Sequence, residues 1–144
     1  MKEKIISIIN QKGGVGKTTT VINLAAGLSL KNKKILVIDL DPQGNATTGL
    51  GLSNADQTSN SIYKILTGTK LIEHAISKTK FSNLDMITSN VDLSGLEVET
   101  ADDVRRAYIL KERLASYLNN SSGSYDYVLI DCPPSLNLLT VMAL

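Results

Sequence analysis

A three-layer α/β/α domain on a mainly parallel sheet is the fold this sequence predicts, and three observations predict it. Short β-branched runs recur at residues 5–9, 35–38 and 127–130, apolar at nearly every position. Runs without alternation belong to strands buried on both faces, the habit of parallel sheets. Between the first two runs lie a glycine-rich stretch, residues 13–16, and then an amphipathic helical pattern. Strand, glycine loop, helix and strand make a βαβ unit with a right-handed crossover.

The helix is read from Val21, Leu24, Ala25 and Leu28, which fall at i, i+3, i+4 and i+7 on one face. Lys31, Lys33 and Lys34 follow at its negative end. Residues 42–51 are rich in turn formers and read as a loop. Residues 62–66 and 71–76 fit short helices, and residues 84–88 a further strand. Val104, Ala107, Leu110, Leu114 and Leu118 predict one amphipathic helix over 101–119, followed by a loop over 119–124. From Ser135 onward an apolar pattern has neither a cap nor a following strand, so a helix there needs a cover. The expectation is a single domain over 1–144 that is truncated within its fold.

Composition narrows the class. The chain has 144 residues, 42% hydrophobic and 20% charged, as ordinary globular proteins do. A formal net charge of +1 gives no global basic field for nucleic acid or anionic membrane. One cysteine, Cys132, excludes an internal disulfide framework and suits a reducing cytoplasm. No apolar run approaches a spanning length, so no membrane span is expected.

The chemistry concentrates between the first strand and the first helix. Lys12, Gly13, Gly14, Val15, Gly16, Lys17, Thr18 and Thr19 form a loop suited to phosphate. Its glycines let backbone N–H groups curl around an anion at a helix N-terminus. Lys17 supplies a cation for the β and γ phosphates of ATP, and the Thr18 hydroxyl a ligand for Mg²⁺. The usual phosphate-loop pattern wants a glycine where Gln11 stands, and this chain carries an added lysine, Lys12, instead. Asp39 and Asp131 end two of the strand runs, where open α/β sheets place ligands. Either acid is a magnesium-side carboxylate of the Walker-B kind or merely caps a turn. Asp41, just before Pro42 and Gly44, either positions the attacking water or is a turn acid.

Together, residues 10–19, 39–47 and 127–135 resemble the ParA/Soj family of chromosome and plasmid partition ATPases, within the deviant-Walker group that includes MinD. The Asp39-to-Gly44 segment, with Pro42 and Gln43, points to the ParA branch. The resemblance implies a P-loop NTPase fold of which this chain is the N-terminal portion. It implies ATP and Mg²⁺ as cofactors, a homodimer with ATP sandwiched between subunits, and Lys12 reaching across to the partner's ATP. Asp41 becomes the catalytic residue for water activation, Asp131 the magnesium-side acid. It further implies a ParB-type centromere-binding partner that stimulates hydrolysis, and ATP-dependent non-specific DNA binding, mainly through segments beyond residue 144. Localisation is expected to be cytoplasmic, at the bacterial nucleoid. The other functional class is a nucleotide-dependent regulatory switch acting on replication-initiation or cell-division proteins.

Three remaining features are expected to be structural. His74 has no metal partner in sequence, and Cys132 reads as a small buried apolar side chain. Arg105, Arg106, Lys111 and Arg113 read as a solvated face rather than a phosphate-contacting one.

Overall fold

The computed structural model describes residues 2–14, 16–53, 58–120 and 124–144. Among these, five strands form one sheet: β1 (Lys4–Ile8), β2 (Ile35–Asp39), β3 (Ser77–Lys78), β4 (Leu84–Ile87) and β5 (Tyr127–Asp131). Their order is β1-β5-β2-β4-β3, parallel except where β3 runs against β4. The mainly parallel sheet is therefore as predicted, and β5, last in sequence, lies between β1 and β2. Burial on both faces holds for β2 but not for β1, which stands at the edge of the sheet formed by the described residues and leaves Ile5 52% and Ile6 37% exposed.

Alternation along the strands builds the layers. Ile35 and Val37, with Leu129 and Met86, pack against helices α1 (Lys17–Leu30) and α2 (Asn45–Gly49) on one face. Leu36 and Ile38, with Val128 and Ile130, pack on the other face. That second layer holds α3 (Ile62–Leu66), α4 (Ile72–Ala75), α5 (Leu96–Glu99), α6 (Ile109–Asn120) and α7 (Leu138–Met142).

The structure departs from the sequence reading in three places. The helix predicted over 101–119 starts only at Ile109. Asp103 Oδ1 accepts the Arg105 N–H at 2.8 Å, a side-chain turn that competes with helix, and a 3₁₀ turn over Arg106–Tyr108 follows. Val104 consequently lies 95% exposed instead of joining the apolar face. The predicted loop over 42–51 contains α2, whose residue Thr47 is held by the distant Asp39 side chain. The apolar stretch after Ser135 is capped after all: Asn137 Oδ1 accepts the Thr140 N–H, and Leu138, Leu139 and Met142 are buried in the core. Of the predicted loop over 119–124, residues 121–123 lie outside the described residues.

Candidate active site

The strand order explains how residues far apart in sequence converge. Ile8, Asp131 and Asp39 stand side by side in register at the carboxyl ends of β1, β5 and β2. The phosphate loop leaves β1, and its glycines take the left-handed backbone that favours glycine, with φ of 70° at Gly14 and 88° at Gly16. Gly16 is the N-cap of α1 and has no side chain to occupy the first amides of the helix. Those amides, with Lys17 as the first helical residue, stand open at the helix N-terminus, the arrangement that suits an anion. Gly13 lies against Pro134 of the segment after β5, where an added Cβ would stand 3.8 Å from the proline Cβ. Lys12 is exposed, its N–H bonded to Asn10 Oδ1 at 2.9 Å, and Thr19 is exposed in the first turn. Val15 lies outside the described residues.

Thr18 and Asp131 meet directly: the threonine Oγ1 donates to Asp131 Oδ2 at 2.8 Å. The other carboxylate oxygen, Asp131 Oδ1, is buried with no hydrogen-bond partner. A buried orphan acceptor beside a hydroxyl is a costly arrangement that a hard cation relieves. Among the described residues no group of three or more His, Cys, Asp or Glu could hold a metal by itself. That suits Mg²⁺, which takes one or two protein oxygens and completes its shell with phosphates and water. Burial raises the Asp131 carboxyl, the Thr18 hydrogen bond opposes the rise, and Asp41 adds repulsion.

The two acids at the end of β2 are held differently. Asp39 is fully buried and both its oxygens accept protein donors, from the Asp41 N–H and from Thr47. Burial pushes its carboxyl up to about 7 against those hydrogen bonds. Asp41 is 7% exposed, and its Oδ1 accepts the Gln43 N–H at 3.0 Å in an Asx turn. Gly44, at φ 65°, then starts α2. Thr47 and Ser89 complete this group, and sequence reading missed both. The available signal was a pair of hydroxyl residues, one just past the buried strand β4 and one in the turn-rich segment after β2.

Cys132 is 1% exposed, and burial, with Asp131 beside it, pushes the thiol up to about 12 from 9.0. At about pH 8 the thiolate population falls roughly 1,000-fold below that of a free cysteine. A disulfide reagent added to the native protein is expected to release no thiol signal, and a full equivalent after denaturation. Rapid native labelling would contradict this burial.

His74 is exposed. Of the basic residues in the 105–113 segment, Arg105 pairs with Glu112, and Arg106 donates to the Glu97 backbone carbonyl. Arg105 and Arg113 border a groove of about 1120 Å³ that also carries Glu73, Asp102 and Asp103, away from the phosphate loop. Its mixed charge matches a solvated face.

Comparisons with known proteins identify relatives of this chain. A family model described as an AAA domain matches residues 3–144. The chromosome partitioning protein ParA of Caulobacter vibrioides is 48% identical over 141 residues, covering 98% of this chain and 52% of the relative. The sporulation initiation inhibitor protein Soj of Bacillus subtilis is 48% identical over 141 residues, covering 98% and 54%. The chain thus spans about half the length of the curated relatives it matches. Among solved structures, cobyrinic acid a,c-diamide synthase from Mycobacterium smegmatis, with bound ATP analog and magnesium, superposes with a TM-score of 0.90. It is 37% identical, over 99% of this chain and 54% of that one. A putative plasmid partition protein from Borrelia burgdorferi bound to AMPPNP gives 0.85 at 35% identity, over 99% and 59%. Among the described residues, no helix is long and apolar enough to cross a membrane.

Proposed function

The chain belongs to the ParA/Soj family of P-loop NTPases, and from that premise we propose that it binds MgATP and hydrolyses it to ADP and phosphate. The observation that carries this reading is the buried, unpartnered Asp131 Oδ1 beside Thr18 at the mouth of a glycine-lined helix N-terminus. The amides of the loop and Lys17 hold the phosphates, while Thr18 and Asp131 hold Mg²⁺. Bound Mg²⁺ neutralises charge on the transferring phosphoryl group. Asp41 orients the attacking water, and Lys12, free at the surface, reaches the ATP of a second subunit. Hydrolysis is slow until that second subunit completes the positioning groups.

The wider role follows the relatives. ATP-bound dimers bind DNA non-specifically, a ParB-type partner triggers hydrolysis, and cycles of binding and release at the nucleoid, in the cytoplasm, segregate chromosome or plasmid copies. The deciding measurement is partner-stimulated phosphate release by wild type and Asp41→Ala. The variant is expected to bind MgATP normally and lose stimulation; equal rates would remove Asp41 from the mechanism. Lys12→Ala is expected to keep nucleotide affinity and lose the ATP-dependent dimer in sedimentation. A dimer that persists would refute the cross-subunit contact. The name of the Soj relative, sporulation initiation inhibitor, supports a second reading, a nucleotide-controlled regulatory switch. ATP-dependent capture of a replication initiator without DNA retention would favour it.

A further inference from the structure

Asp39, Thr47 and Ser89 are all fully buried, and with Asp41 they close a ring of hydrogen bonds. The Asp41 N–H donates to Asp39 Oδ1 at 3.0 Å. Asp39 Oδ2 accepts from Thr47 twice, from its N–H at 3.0 Å and its hydroxyl at 2.7 Å. The same Thr47 oxygen, its proton committed to Asp39, accepts the Ser89 N–H at 3.1 Å. Ser89 then returns to the start: its hydroxyl donates to the Asp41 carbonyl at 2.5 Å.

Three residues, from the end of β2, from α2 and from just past β4, thus hold a fourth, Asp41, by both its peptide groups. The direction of each bond is set, because the Thr47 hydroxyl must give to a carboxylate and receive from an amide. A buried polar network with every member satisfied is stiff, and its members support one another. Its stiffness is delivered to the backbone of Asp41, whose carboxyl makes no bond to Asp39, Thr47 or Ser89 in the ring itself.

We propose that Thr47 and Ser89 are positioning residues for hydrolysis, fixing the Asp41 backbone so that its carboxyl meets the attacking water in one orientation. Asp39 belongs to the same device: its oxygens are directed to protein donors, whereas Asp131 keeps one oxygen open for the cation. The proposal rests on the assignment of Asp41 to the water. A purely structural ring would alter stability without regard to Asp41, and that difference makes the two separable.

The test uses Thr47→Val, which keeps shape and removes the hydroxyl, Thr47→Ser, which restores it, and Ser89→Ala. Each is made in wild type and in Asp41→Ala. Expected for Thr47→Val and Ser89→Ala is a fall in kcat of about tenfold to a hundredfold at unchanged MgATP affinity, with Thr47→Ser near wild type. In the Asp41→Ala background neither substitution lowers the rate further. Amide exchange, which needs no turnover, is expected to quicken at Asp41 and Gln43 in both variants while β5 stays protected. Unchanged kcat, unchanged exchange, or equal losses with and without the Asp41 carboxyl would overturn the proposal. Asp41→Ala turning over at the wild-type rate would instead bring down the assignment of Asp41 itself, and the ring's catalytic role with it.

Discussion

Lys17→Ala weakens MgATP binding by about 100-fold or more, enough to abolish it at ordinary concentrations. Two charge-assisted hydrogen bonds to phosphate are worth roughly 1.5–3 kcal/mol each, and both go with the ammonium group. The loop's other lysine, Lys12, does not take its place, because it is exposed and precedes the glycine curl. Lys17 opens α1 and is close enough to Asp131 and Cys132 to draw both toward their charged forms. Calorimetric titration checks the result, with circular dichroism to establish that the variant is folded. Retained affinity would mean that the phosphates bind elsewhere.

Leu36→Ala costs about 2–5 kcal/mol of stability. Leu36 is fully buried on β2, the middle strand of the sheet, and packs into the larger of the two cores. The cluster it joins draws on β4, β5 and helices α3 to α7, so a cavity at Leu36 opens inside a core packed from many elements that cannot all close in. Domains of this kind have only roughly 5–15 kcal/mol in total, so the substitution removes a large share. Urea unfolding measures it as a lower midpoint at constant slope. Val104→Ala, at a position 95% exposed, is the control and shifts stability by no more than about 0.5 kcal/mol. Equal midpoints for the two variants would contradict the core described here.

What the sequence disclosed and what it hid divide along a physical line. β1, α1, β2 and β5 were legible because β-branched strand runs and a glycine-opened helix are encoded within about a dozen adjacent residues; the burial of β1 was not, because it depends on the strand's place at the sheet edge. The phosphate loop was legible for the same reason. The start of α6 was misread because the Asp103 side chain captures the Arg105 amide, a local competition that helical periodicity ignores. Helix α2 was hidden inside a turn-rich segment, since its Thr47 is anchored by an acid eight residues earlier. Ser89 contributes through a carbonyl 48 residues away. No window of sequence contains both partners, and only the pairing of β2 with β4 brings them together.

The placement of β5 sets a timetable for the molecule. Lys4 pairs with Tyr127, so the strand that leads into the phosphate loop pairs with β5 only after more than a hundred further residues have been synthesised. Closing so long a loop is slow relative to forming α1. During translation the glycine curl emerges first and waits without its acid, because Asp131 arrives more than a hundred residues later. On the proposed assignment of Thr18 and Asp131 to Mg²⁺, the hold on a magnesium nucleotide is completed at that late insertion, and a nascent chain stalled before it has a glycine curl with no counter-wall.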